Sequence, residues 1–116
     1  MAAVHAAIGT VYSTTIPINI GKFSYTATLR KHGKSVFFIW RSQENHTNSN
    51  IATNNWVQIG MIPADYRPSE SFFFPSSNGI NAVLDSEINS NGAVRIYSTS
   101  VDLGYELGMS LTWIQA

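Results

Sequence analysis

The chain has no cysteine among its 116 residues, which excludes disulfide staples and thiolate metal sites. Charge is scarce as well. Only 12% of residues are Asp, Glu, Lys or Arg, against ~25% in an ordinary globular domain. Seven cations balance seven anions, so the formal net charge is zero. Nucleic acid is not an expected partner, because counterion displacement needs concentrated Lys and Arg. Self-association, by contrast, meets little electrostatic opposition. No apolar run is long enough for a membrane span, so membrane insertion is not expected. Residues 1–11 lack a basic n-region and their apolar stretch is too short for a signal peptide. Export by the usual secretory route is therefore not expected, and release by lysis of the producing cell fits better. No window of ten or more residues shows a 3.6 period with caps, which predicts no substantial helix.

Catalytic signatures are missing too. The histidines, His5, His32 and His46, have no metal-ligand spacing. There is no nucleophile elbow, phosphate loop or Ser-His-Asp order. Among the acids, Glu44, Asp102 and Glu106 could meet as a glycosidase pair, which needs carboxylates about 5 Å or about 6.5–9.5 Å apart. Carboxylates in polar loops are usually solvated instead, and neither catalysis, metal nor cofactor is expected.

What the chain does have is neutral polarity and short alternating runs. Asn, Ser and Thr together make 33 of 116 residues, and 44% of the chain is hydrophobic, enough for a single core. One domain spans residues 1–116, with residues 1–9 a short stalk remnant or mobile terminus. Residues 22–31 alternate most cleanly: Phe23, Tyr25, Ala27 and Leu29 on one side, Ser24, Thr26, Thr28 and Arg30 on the other, the pattern of a half-buried strand. Residues 10–20 alternate too, but Pro17 cannot donate to a ladder, so this strand is expected at an edge or broken there. His32-Gly33 and Asn91-Gly92 read as tight reversals, and Asn78-Gly79 as a further hairpin. Val36-Phe37-Phe38-Ile39-Trp40 is apolar on both parities, which predicts cover on both faces; an oligomer partner would supply the second. Further strands are expected at 56–62, 71–75, 80–88, 93–97 and 107–114. Leu107, Met109, Leu111 and Trp113 form one face of the last. About eight short strands with turns every 8–12 residues predict an all-β antiparallel sandwich or barrel.

Two polar stretches suit a sugar, which needs an aromatic platform for its C–H face and planar donors or acceptors for its hydroxyls. The long loop 43–55 lies between Trp40-Arg41 and Trp56 and offers Glu44, His46 and Asn48. The second stretch sets Tyr105 between Asp102 and Glu106. The candidate carbohydrate-binding residues are thus Arg41, Glu44, His46, Asn48, Trp56, Asp102, Tyr105 and Glu106. Trp40 and Trp56 both sit at strand ends, where membership of the core is the first reading for each.

The run Ile62-Pro63-Ala64-Asp65-Tyr66-Arg67-Pro68-Ser69 is not expected to hold any helix, because each proline fixes its own φ and biases its predecessor away from the helical region. It reads as a rigid corner with Tyr66 and Arg67 folded back onto neighbouring strands. It also resembles the Pro-x-x-Tyr-Arg-Pro-Ser corner of small β domains at the C-termini of tail, baseplate and receptor-binding proteins of phages infecting Gram-positive bacteria. The resemblance extends upstream to the charged hairpin Leu29-Arg30-Lys31-His32-Gly33-Lys34-Ser35-Val36. Downstream it takes in Ile88-Asn89-Ser90-Asn91-Gly92-Ala93-Val94-Arg95-Ile96 and the closing strand 107–114. It covers residues 23–113. The chain departs from it in carrying His32-Gly33 where Asp-Gly is usual, and in its long polar loop. The resemblance implies a non-catalytic, homotrimeric head domain in a virion tail tip or baseplate, made in the bacterial cytoplasm. Its partners would be host cell-wall saccharide and other tail or baseplate proteins. The alternatives are a structural tail-tip module without sugar binding, or a monomeric carbohydrate-binding module of a cell-wall enzyme.

Overall fold

The computed structural model describes residues 11–77, 83–100, 102–103 and 106–115. The expectation for residues 1–9 and the Asn78-Gly79 turn lie outside them. Eight strands form two four-stranded antiparallel sheets, as the alternation predicts. The first sheet has the order β1 (Val11–Ile20), β2 (Phe23–His32), β3 (Ser35–Arg41), β8 (Gly108–Ile114). The second has the order β4 (Asn55–Met61), β7 (Ala93–Ser98), β6 (Val83–Ile88), β5 (Phe72–Ser77). The sheets stack with β1 against β4 and β8 against β5.

The core is the two inner faces. Ile16, Ile18, Ala27, Leu29, Val36, Phe38, Met109 and Trp113 come from the first sheet, and Ile59, Leu84, Ile88, Val94 and Ile96 from the second. Two inward serines, Ser76 and Ser86, satisfy each other at 2.7 Å, as buried hydroxyls must. Pro17 interrupts nothing: β1 runs unbroken and is an edge strand, so its missing N–H costs no ladder bond. Pro75 is likewise in an edge strand, β5.

The Val36–Trp40 run meets the core on one face. Its burial alternates strictly, with Val36, Phe38 and Trp40 inside and Phe37 and Ile39 outside at 36% and 39% exposure. Within one chain only one face is covered. Residues 62–71 carry the chain from one edge of the second sheet to the other. A single 3-10 turn at Ala64–Tyr66 sits between the prolines, so the corner is not wholly non-helical. Tyr66 is buried, Arg67 Nε donates to the Ile62 carbonyl at 2.8 Å, and Pro68 bridges to Gln115. The Asn91-Gly92 reversal closes as expected, with Gly92 at φ +99°.

Candidate functional site

One end of the sandwich carries the β1–β2 turn, the β3–β4 loop (42–54) and the β7–β8 loop (99–107). The β3–β4 loop is long because it crosses from one sheet to the other. Its backbone takes the left-handed region at Asn48, Asn50 and Asn54, which asparagine tolerates better than most residues. His46, Ser49 and Ile51 point inward and anchor it. The two polar loops flagged in the sequence are brought together. Leu103 N donates to the His46 carbonyl at 3.2 Å and Ser42 N to the Leu107 carbonyl at 2.8 Å. Asn48 N donates to Asp102 Oδ1 at 2.7 Å.

The sequence candidates separate within this end. Arg41 and Glu106 line one cleft of about 330 Å³ with Ile39, Gly108 and Ser110. Asn48 and Asp102 are exposed and spend part of their polarity on each other. His46 is fully buried, contrary to a surface contact. Its ring packs edge-on to Phe23 at 4.7 Å, and its Nε2 is hydrogen-bonded to the Tyr25 hydroxyl and lies 3.2 Å from Ser42 Oγ. It organises the loop from within. Glu44 is exposed and its carboxylate lies near the Tyr25 hydroxyl. Trp40 is core, stacked on Tyr25 at 5.8 Å. Tyr105 lies outside the described residues. Among the described residues no His, Asp and Glu cluster is suited to a metal ion.

Trp56 belongs elsewhere, on the outer face of the second sheet. It is half-buried, 5.8 Å from the ring of Phe73 and 5.6 Å from that of Tyr97. Trp56 is the second residue of β4 and Phe73 belongs to β5, the opposite edge, so the two side chains lean toward each other across β7 and β6. Beneath this arch Arg95 and Glu87, register partners, form an ion pair with Arg95 Nε 2.6 Å from Glu87 Oε1. The guanidinium also lies 5.0 Å from the Trp56 ring. The cover explains how Glu87 is only 5% exposed on an outward-facing position. Beside the arch is a second cleft, about 400 Å³, lined by Trp56, Phe73, Phe74, Pro75, Asp85 and Ser86.

A solved structure matches this architecture. The receptor binding protein (gp15) of Listeria phage PSA aligns with a TM-score of 0.58 over 97% of this chain and 70% of that one, at 12% identity. The fold is similar to the fold of that protein. No family model matches the chain, and no curated protein matches its sequence.

Phe73, Asp85, Arg95 and Tyr97 are not among the residues the sequence singles out, yet a signal for them exists. Pairing across the Asn91-Gly92 turn sets Asp85 opposite Tyr97 and Glu87 opposite Arg95, on the parity opposite Leu84, Ile88, Val94 and Ile96. In Phe72-Phe73-Phe74 the strand period forces one ring outward.

The Tyr25 phenol has a testable property. Burial first, and then the nearby Glu44 carboxylate, push its pKa from 10.0 up to about 12. A raised folded-state value favours the neutral phenol, so this contribution to stability is complete below pH 10 and is lost between pH 10 and 12. Absorbance titration is expected to show one late tyrosine that disappears in Tyr25→Phe. Stability should fall more steeply from pH 10 to 12 in the parent chain than in that variant.

Proposed function

We propose that this chain is the receptor-binding head of a phage tail or baseplate protein, non-catalytic, which attaches the virion to saccharide on the host cell surface as a homotrimer. The observation that carries the reading is the likeness to a phage receptor-binding protein over 97% of the chain. Two features support it. One end and one flank present neutral Asn-rich loops, exposed carboxylates and an aromatic arch, a mixture suited to hydroxyl-rich ligands. The outer face of the first sheet sets exposed Phe37 and Ile39 among the register partners Thr28, Ser110 and Thr112. Exposed Arg30 sits opposite Phe37 on the same face; the exposed apolar side chains beside it suit association with copies of the chain, and weak individual sites gain avidity from symmetry.

Sizing chromatography is expected to give about three times the 12.8 kDa chain mass, and the assembled protein is expected to bind purified wall polysaccharide from a Gram-positive host. A trimer that binds no envelope fraction favours a structural tail-tip module. A particle of single-chain mass that binds polysaccharide favours a module of a cell-wall enzyme.

A further inference from the structure

We propose that the cleft on the outer face of the second sheet, beside the Trp56–Phe73 arch, is a saccharide subsite selective for uncharged or amino-substituted pyranose rings over anionic ones. This rests on the receptor-binding reading and specifies where, and by which charge, the ligand is recognised.

Three observations converge on it. First, Phe73 is 70% exposed, the most exposed large apolar side chain among the described residues, and yet it is held in place against Trp56 at 5.8 Å. An exposed ring fixed by a second ring is a ready platform for the C–H face of a sugar, because little side-chain freedom is left to lose on binding. Second, Asp85 is exposed at the wall of the same cleft and makes no hydrogen bond or ion pair among the described residues. An ionised carboxylate only accepts, and its two oxygens can take two adjacent hydroxyls or amide N–H groups. Third, the charges are already resolved. Arg95 is the cation of this face, and Glu87 occupies it from below the arch, so it is not available to neutralise an incoming phosphate or carboxylate. What remains facing solvent is the negative Asp85. An anionic polymer meets repulsion there, whereas a neutral ring or a protonated amine does not.

The position is consistent with use. Trp56, Tyr97, Asp85 and Pro75 form one cross-strand row, near the end of the sandwich where Asn55 and Ser98 lead into the polar loops.

The test is a glycan array on the intact chain in which each uncharged or amino pyranose oligosaccharide is paired with a phosphorylated, sulfated or carboxylated form of the same ring. It is followed by titration of the best binder into Phe73→Ala, Asp85→Asn and the control Lys34→Ala, an exposed residue of the β2–β3 turn. Phe73 and Asp85 are exposed, so these variants are expected to fold. The expected result is a preference for the uncharged or amino member, a loss of about tenfold or more in each site variant, and no change in Lys34→Ala. Preference for the anionic member overturns the charge assignment. Binding that ignores Phe73→Ala and Asp85→Asn overturns the subsite while leaving the receptor-binding reading intact. Binding to no glycan at all overturns the saccharide reading itself.

Discussion

Gly21→Ala is expected to destabilise the protein by about 3–4 kcal/mol and to lower its melting temperature by more than about 10 °C. Gly21 has φ +56°, and a Cβ there would stand 1.8 Å from the Ser49 carbonyl oxygen. The neighbouring Lys22 N donates to that same oxygen at 3.0 Å. The β1–β2 turn and the β3–β4 loop therefore meet backbone to backbone, with no side chain able to give way. Three costs combine. The left-handed conformation costs about 1 kcal/mol without glycine. The broken hydrogen bond adds about 1 kcal/mol. Lifting the loop also disturbs Ile51, buried beside the same contact. Gly33 is the matched control: its φ is +61°, but nothing lies within 4 Å of its Cβ position, so Gly33→Ala should cost only about 1 kcal/mol. Denaturant titration of the two variants separates conformation from contact. Equal losses would mean that the close approach at Ser49 carries no energy.

The same contact marks where sequence reading reached its limit. Strands were legible because period-two burial is local: the alternation in residues 22–31 and 107–114 needs no knowledge of what lies opposite. Edge placement of β1 was legible for the same reason, through one proline. The seat of the long loop was not. His46 sits among neutral polar residues in sequence and reads as a surface side chain. It is buried because the crossover must close the end of the sandwich, and the rings that receive it, Phe23 and Tyr25, are more than twenty residues earlier. The Val36–Trp40 run is legible only in part. Continuous apolarity asks for two covers; a single chain supplies one and leaves Phe37 and Ile39 outward, and no local pattern names the second. The aromatic arch fails for a third reason. Trp56 and Phe73 come from opposite edges of a sheet whose order, β4-β7-β6-β5, is not the order of the chain.

Trp113→Ala is expected to cost about 4 kcal/mol, because this side chain ties both sheets to the proline corner. Its ring lies 5.7 Å from Phe38 of the first sheet and 6.0 Å from Phe72 of the second, and it is 6% exposed. Its Nε1 donates to the Tyr66 carbonyl at 2.7 Å. The corner has few other supports: Ser69 N to the Ile114 carbonyl at 3.2 Å, Lys31 Nζ to the Asp65 carbonyl at 2.8 Å, and the Pro68–Gln115 bridge. Trp113→Phe keeps much of the apolar volume and deletes the donor, leaving the Tyr66 carbonyl short of a partner, for about 1–2 kcal/mol. The two variants should also differ in where the damage appears. Trp113→Phe is expected to speed amide exchange at Tyr66, whose N–H donates to Pro63 at 2.9 Å, while β2 and β3 stay protected. Trp113→Ala should lower protection throughout, since it opens a cavity between the sheets. If Trp113→Phe costs as much as Trp113→Ala, the hydrogen bond to the corner outweighs the packing. If the Tyr66 amide is unmoved in both, the corner is held without the Trp113 hydrogen bond.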